Sequence, residues 1–390
     1  MKLLGDLTPQ QFLSEYWQQK PLLVRGAVAD FKCPVTPEEL GGLALEEDVE
    51  SRLLQEQPEW QLRNGPFKEE DLTPLPDTHW SLLIQEINKH IPEFALLQDR
   101  FNFLPNWRLD DVMVSFAPEH GTVGPHADNY DVFLIQGPGR RRWQISHQPC
   151  GEEQLIPNLP LRVLKDFKPE QEWVLEQGDM LYLPPGVVHN GVALEDCITI
   201  SVGFRAPSKV DLISRHFAEI LAQMADSNEE SFYEDSQRTL QLNPGEIAPA
   251  DLNAIRTILR EIPQQSDDEL NHWFGCYTTA VPPGHYLPEP EQTLSGEALK
   301  QKINNAGSLW RSEYARFSYI DSAANPTDEP VLFVAGEAFA INREMMEGVK
   351  LLCGQRLMML EEIEPHLGNN DLLQLITELY NLGALYLDDE

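Results

Sequence analysis

The chain has 390 residues, 42% hydrophobic and 24% charged, which is too long for one ordinary core and typical of a soluble globular protein of two or three domains. Its formal net charge of −34 repels nucleic-acid phosphates and acidic membranes and favours encounter with a basic partner. No apolar run approaches the ~18 residues of a membrane span, no signal peptide opens the chain, and five scattered cysteines without a C-x-x-C pair indicate neither disulfide framework nor zinc knuckle, so a reducing cytoplasm is expected.

Thr8-Pro9-Gln10-Gln11 reads as a helix start, with Thr8 as cap, Pro9 in the first turn and Gln11 closing a capping box. An amphipathic helix from Thr8 to Lys20 is predicted, then a short strand over Pro21–Gly26. Thr36-Pro37-Glu38-Glu39 starts a second helix. Strand-like pieces follow at Glu50–Gln55 and Trp60–Leu62, and Trp80–Ile87 is expected to run on into a helix reaching Leu97.

From Trp107 to Arg205 short apolar strands alternate with Gly, Pro and Asp turns, the pattern of a β-sandwich or barrel. Strands are predicted at Val112–Phe116, Tyr130–Gln136, Arg141–Ser146, Glu172–Leu175, Met180–Leu183 and Cys197–Phe204. Gly137-Pro138-Gly139 reads as a hairpin connection. Beyond Pro207 an amphipathic helix is expected over Val210–Met224, then an acidic loop at Asp226–Asp235 and helices near Asp251–Glu261 and Asp267–Phe274. This helical block is read as a dimerisation element. Pro282-Pro283-Gly284 and Pro288-Glu289-Pro290 mark a linker. After it come a helix from Ser295, strands at Ser312–Tyr319 and Val331–Val334, helices at Arg343–Cys353, Leu357–Leu367 and Asn370–Leu382, and a strand at Ala384–Leu387. That order resembles a winged helix, here with an acidic tip, Asp388-Asp389-Glu390, and few clustered basic residues.

The chemistry centres on Gly124-Pro125-His126-Ala127-Asp128-Asn129-Tyr130 and on His189. On a strand, His126, Asp128 and Tyr130 would share a face. His189 follows a turn, a strand and a rigid Pro184-Pro185-Gly186 corner and is expected at its exit. Two imidazoles and one carboxylate are the facial triad of ferrous iron. Such iron needs an electron source to activate oxygen, and 2-oxoglutarate is the commonest one, held by a buried cation. Of Arg140, Arg141 and Arg142, only Arg141 shares a face with Trp143 and Ile145 and should point inward. The same alternation turns Asp111, Met113 and Ser115 inward on one strand and Thr199, Ser201 and Gly203 on another. Ser115 and Thr199 would then donate to 2-oxoglutarate. Asp111, Tyr130 and Ser201 would line the substrate side, where Asp111 suits a guanidinium. Internal hydrogen bonding is the competing explanation, above all for Thr199.

Pro125-His126-Ala127-Asp128, Gly139-Arg140-Arg141-Arg142-Trp143 and Gly178-Asp179 with Pro184-Pro185-Gly186 and His189 resemble the JmjC-type 2-oxoglutarate oxygenases. More narrowly they resemble the bacterial ribosomal oxygenases, which hydroxylate an arginine of large-subunit ribosomal protein sixteen. Phe12, Trp17-Gln18-Gln19-Lys20-Pro21 and Trp107-Arg108-Leu109-Asp110-Asp111-Val112-Met113 support the resemblance. It implies His126, Asp128 and His189 as iron ligands, Arg141 and Ser115 as cosubstrate contacts, and Asp111, Met113, Tyr130 and Ser201 in the substrate pocket. Many JmjC oxygenases carry lysine where this chain has Arg141, a departure that matches the bacterial ribosomal branch.

The expected architecture is therefore α+β. A double-stranded β-helix (cupin/JmjC) barrel spans residues 1–206, a helical dimerisation region 207–281 and a winged-helix-like domain 282–390. The expected activity is that of an Fe(II)- and 2-oxoglutarate-dependent protein arginine hydroxylase, a homodimer acting on a basic ribosomal protein, without membrane or direct nucleic-acid partners. Another cupin metalloenzyme, such as a small-molecule dioxygenase or isomerase, would not need an inward Arg141. A DNA-binding regulator using the winged helix would have to overcome the acidic surface, and a purely structural cupin would not need three intact ligands.

Overall fold

The computed structural model describes residues 2–159, 161–226, 249–260, 265–282, 284–321 and 329–387. The strands, in chain order, are β1 (Leu22–Val24), β2 (Ser51–Gln55), β3 (Gln61–Asn64), β4 (Trp80–Ile84), β5 (Leu109–Ala117), β6 (Val132–Gln136), β7 (Arg141–Ser146), β8 (Gln171–Leu175), β9 (Met180–Leu183), β10 (Val188–Ala193), β11 (Cys197–Phe204), β12 (Ser308–Arg311), β13 (Phe317–Ile320), β14 (Val331–Val334), β15 (Glu337–Ala340), β16 (Leu357–Met359) and β17 (Leu385–Tyr386). The helices are α1 (Pro9–Glu15), α2 (Pro37–Leu43), α3 (Glu69–Leu72), α4 (Pro92–Gln98), α5 (Lys209–Asp226), α6 (Pro249–Arg260), α7 (Asp267–Thr279), α8 (Gly296–Ala306), α9 (Met346–Gly354), α10 (Leu360–Ile363) and α11 (Asn370–Asn381).

An eight-stranded sheet in the order β1-β9-β6-β11-β5-β4-β2-β3 and a three-stranded sheet, β10-β7-β8, form the barrel. Alternation along the large sheet divides its side chains between two layers. Val112 and Val114 of β5, Phe133 and Ile135 of β6, Met180 and Tyr182 of β9 and Ile198, Ile200, Val202 and Phe204 of β11 join one apolar core with Phe12, Leu40, Phe94 and Phe101 of the N-terminal segments. Val132, Leu134, Leu181 and Leu183 belong to the opposite layer, where they pack with Trp143, Ile145 and Leu175 of the small sheet. Strand β6 is buried at all five positions because both its faces are covered. Helix α1 carries the expected capping box: Gln11 N donates to Thr8 Oγ1 at 3.2 Å and Thr8 N to Gln11 Oε1 at 2.9 Å. It delivers Phe12 edge-on against Tyr182, ring centroids 5.0 Å apart.

The structure departs from the sequence expectations at several places. Helix α1 stops at Glu15 rather than Lys20, and Trp80–Ile84 is a strand separated from α4 by a short 3-10 turn at Ile87–Lys89. Asp128 and Tyr130 lie in a loop before β6, so no strand aligns them with His126. Gly137-Pro138-Gly139 is no hairpin, because it carries the chain from β6 in the large sheet to β7 in the small one. Gly139 has φ +77, and a Cβ there would lie 2.1 Å from Asp196 O, so only glycine fits the crossover. His189 follows the Pro184-Pro185-Gly186 corner as the second residue of β10, a strand not expected from the sequence.

Toward the C-terminus, Ser312–Tyr319 is not one strand: β12 ends at Arg311, and a turn leads to β13, which begins at Phe317 in a different sheet, while Leu357–Met359 is a strand before α10. The sheets β16-β12-β17 and β13-β14-β15 pack with α8, α9 and α11 around a second core containing Leu299, Phe317, Val349, Leu372 and Ile376. These residues form one compact unit with the barrel. Asn102 Nδ2 donates to Gly354 O at 2.7 Å and Asn106 Nδ2 to Cys353 O at 2.6 Å.

Residues Pro207–Tyr277 are a separate unit. Within it α5 and α7 meet through His216 and Trp273, ring centroids 4.6 Å apart, and through Tyr277 Oη, which donates to Asp211 Oδ2 at 2.9 Å. Val210, Ile213 and Leu221 of α5 remain well exposed. The acidic loop beyond Asp226, the end of the helix expected to reach Glu261 and the tip Asp388-Asp389-Glu390 lie outside the described residues. Among the described residues no helix is long and apolar enough to cross a membrane.

Candidate active site

The loop bearing His126 and Asp128 is fixed by backbone pairing rather than by a strand of its own. His126 N donates to His189 O at 3.0 Å and His189 N to His126 O at 2.8 Å. Pro125 O accepts from Leu164 N, Asp128 O from Gly186 N and Asp131 O from Phe204 N, at 2.8, 2.8 and 3.0 Å. The buried Asp131 carboxylate closes the loop by accepting from Tyr182 Oη at 2.7 Å, Gln18 Nε2 at 2.9 Å and Arg108 Nη2 at 3.1 Å.

His126 Nδ1 lies 2.9 Å from Gly124 O, and His189 Nδ1 lies 3.0 Å from Val187 O. A carbonyl oxygen only accepts, so each Nδ1 carries a proton and Nε2 is the nitrogen left to face a metal. Burial, with the neighbouring His126, pushes the His189 imidazole down to about 4, so that it stays neutral. The Nε2 atoms stand 3.9 Å (His126) and 3.7 Å (His189) from the two Asp128 carboxylate oxygens. All three ligand atoms lie within 4.8 Å of one another, and this is the only such cluster among the described residues. Two imidazoles and one carboxylate fit a divalent metal of the facial-triad type, with nitrogen donors already oriented by their backbone partners.

The triad opens on a cavity of about 270 Å³. Arg141, Ser115, Thr199, Asp111, Met113, Tyr130 and Ser201 all line it with His126, Asp128 and His189. On β7, Arg141 and Trp143 are turned inward as alternation predicts, and Arg141 is only 3% exposed. Arg140 instead pairs with Glu195 on the surface. Arg141 Nε and Nη2 and Thr199 Oγ1 are buried without a hydrogen-bond partner. A buried guanidinium is costly unless something occupies its donors, so the cavity is built to receive an anion. Ser115 and Thr199 are direct neighbours across β5 and β11, as are Met113 and Ser201. Asp111 is held up at about 6, chiefly by burial and next by the charge of Asp110. Burial and the Asp128 carboxylate push the Tyr130 hydroxyl well above its ordinary value.

Trp143, Arg52 and Gln85 also line the cavity but are not among the predicted site residues. Arg52 and Leu54 share a face of β2, and Leu83 and Gln85 share the face of β4 and its exit. The alternation that identifies Arg141, applied to these two strands, would have found both polar residues.

Comparison with known proteins agrees with this geometry. The JmjC domain family model matches residues 96–212, and the ROXA-like winged helix model matches residues 260–386. The ribosomal protein uL16 3-hydroxylase of Escherichia coli is 40% identical over 266 residues, covering 68% of this chain and 69% of that protein. A probable ribosomal oxygenase of Haemophilus influenzae is 36% identical over 262 residues, covering 65% and 63%. The X-ray structure of E. coli ycfD superposes with a TM-score of 0.80 at 31% identity over 98% of this chain and 99% of that one. The structure of YcfD, an E. coli ribosomal oxygenase, in complex with cobalt and 2-oxoglutarate gives a TM-score of 0.78 with the same identity and coverage. With both family models matched and the uL16 hydroxylase covered over two thirds of its length, the chain belongs to the JmjC ribosomal oxygenases.

Proposed function

We propose that the chain is an Fe(II)- and 2-oxoglutarate-dependent protein hydroxylase acting on an arginine side chain of the large-subunit ribosomal protein uL16. The supporting observation is a cavity that joins the triad to a buried cation from the small sheet, Arg141, whose Nε and Nη2 lack hydrogen-bond partners, and to a partly buried carboxylate from the large sheet, Asp111. His126, Asp128 and His189 would hold the metal. Arg141 presents a planar pair of donors to the distal carboxylate of 2-oxoglutarate, with Ser115 and Thr199 donating beside it. Iron and 2-oxoglutarate together supply the oxidant: one oxygen atom of O2 enters a substrate C–H bond and the other enters succinate as carbon dioxide leaves. Asp111 receives the substrate guanidinium, Tyr130 and Ser201 offer hydroxyls beside it, and Met113 gives an apolar wall to the arginine methylenes.

The net charge of −34 suits a basic ribosomal protein better than nucleic acid, and the cytoplasm is the compartment where such a substrate is made. The relatives named as uL16 3-hydroxylase and ribosomal oxygenase carry the same substrate class. Stimulation of 2-oxoglutarate turnover by purified uL16, lost when the candidate arginine is replaced by lysine, tests the arginine assignment. Equal stimulation by both forms of uL16 refutes it.

A second copy of the chain is the proposed occupant of the exposed apolar stripe on the helical unit. Ile213 and Leu221 of α5 are 57% and 61% exposed, and Leu252 and Ile255 of α6 are exposed as well. Such a stripe on a monomer favours association. Sedimentation at micromolar concentration should give a dimer, and Ile213→Glu with Leu221→Glu should give a monomer.

A further inference from the structure

We infer that Gln85 is a positioning residue for substrate recognition: its amide, held by Arg52, orients the Asp111 carboxylate toward a cation in the cavity. This rests on the proposal that Asp111 receives a guanidinium.

Strands β2, β4 and β5 are neighbours in the large sheet, and Gln85 lies one residue past the end of β4. Its backbone is pinned, since Gln85 N donates to Glu50 O at 2.9 Å. Arg52 Nη2 donates to Gln85 Oε1 at 2.6 Å. A guanidinium has no acceptor, so the atom facing Arg52 must be the amide oxygen. The amide nitrogen then necessarily faces Asp111, and Gln85 Nε2 donates to Asp111 Oδ2. The order cation, amide, carboxylate is thereby fixed.

The amide serves as a spacer. Were Arg52 paired directly with Asp111, the carboxylate would be neutralised before any substrate arrived. Through Gln85 it is oriented by a hydrogen bond yet keeps its full negative charge for a ligand. Space exists for that ligand because Asp111 lines the cavity with Gly203, where a Cβ would crowd Asp111 Oδ1 at 3.1 Å. The charged and titratable groups around Asp111 are Asp110, Glu86, Arg52, Tyr130 and Arg316. Burial and the charges of Asp110 and Glu86 favour the protonated acid, and hydrogen bonds from the Gln85 side chain and then the Glu86 backbone oppose them. Losing Gln85 should therefore cost substrate binding most where Asp111 is closest to protonation.

The test uses the full-length iron enzyme and an arginine-containing uL16 peptide, with KM and kcat measured from about pH 5.5 to about pH 8.5. Gln85→Leu is expected to raise peptide KM roughly tenfold near pH 6.5 and less at the alkaline end, the acid limb of kcat/KM moving to higher pH, while kcat at saturating peptide moves less than about twofold. Arg52→Gln should produce the same pattern more weakly and serves as the second variant if Gln85→Leu melts early. Asp111→Asn is run in parallel. If it raises KM while neither Gln85→Leu nor Arg52→Gln shifts the acid limb, Asp111 works without the spacer and the inference is overturned. A KM rise equal at every pH marks mere packing and overturns it too. If Asp111→Asn leaves KM unchanged, the guanidinium assignment itself fails.

Discussion

His126 and His189 are locked together by two reciprocal backbone hydrogen bonds of 3.0 and 2.8 Å, and their rings lie 4.3 Å apart. The two imidazole ligands therefore hold their spacing whether or not a metal is bound. A protein with such a preformed site takes up metal without refolding, in contrast to domains that fold only around their ion.

Replacing any one of His126, Asp128 or His189 by Ala should weaken Mn(II) or Co(II) binding by more than about 100-fold. The fold should survive, because the backbone bridge does not use the side chains. Titration calorimetry and far-UV circular dichroism on the same samples check both halves of this expectation.

Arg141→Ala should raise the KM for 2-oxoglutarate by roughly 10- to 100-fold, the range of about 1.5–3 kcal/mol for a hydrogen bond to a charged group. Arg141→Lys restores the charge but not the planar fork and should recover only part of the loss. Because Nε and Nη2 of the buried guanidinium lack hydrogen-bond partners, Arg141→Met should leave the ligand-free protein at least as stable as the parent by thermal melting.

Asp111 is raised from 3.8 to about 6, so the folded state holds its proton more tightly than the unfolded state does. Stability from this group is complete below the unfolded value, is lost as pH rises through that window and is flat above about 6. Asp111→Asn should therefore stabilise the protein at neutral pH, by up to roughly 3 kcal/mol, with the gain vanishing towards pH 4. Denaturant titrations at several pH values measure the difference. In peptide binding the sign is opposite, since the ionised form is the one a guanidinium needs.

Gly191 of β10 faces Trp143 of β7, and a Cβ there would meet the indole at 2.7–2.9 Å. A ring wedged beside Arg141 cannot swing aside freely, so Gly191→Ala should cost about 1–3 kcal/mol of stability. It should also push Trp143 towards the cosubstrate pocket and raise the KM for 2-oxoglutarate. Tryptophan emission and steady-state kinetics report the two effects separately.

Alternation within single strands was legible in the sequence. It placed Arg141 inward beside Trp143 and Ile145, and it separated Thr199 and Ser201 from Ile198 and Ile200, because a two-residue period survives any tertiary context. Pairing between distant strands was not legible. Val188–Ala193 carries Asn190 and Gly191 and has little strand signal of its own, and its extended form comes from its partner β7. Gly137-Pro138-Gly139 turns the chain, but whether the next strand joins the same sheet is a tertiary matter. Arg52 and Gln85 read as ordinary polar residues until β2, β4 and β5 are set side by side.

The reaction proposed for this site is oxygen insertion into an arginine of uL16. Incubation of purified uL16 with the enzyme, Fe(II), 2-oxoglutarate and O2, followed by tandem mass spectrometry, should show a gain of one oxygen localised to a single arginine, absent with His126→Ala. A gain localised to any other residue type, or no gain on uL16 from enzyme that still turns over 2-oxoglutarate, would contradict it.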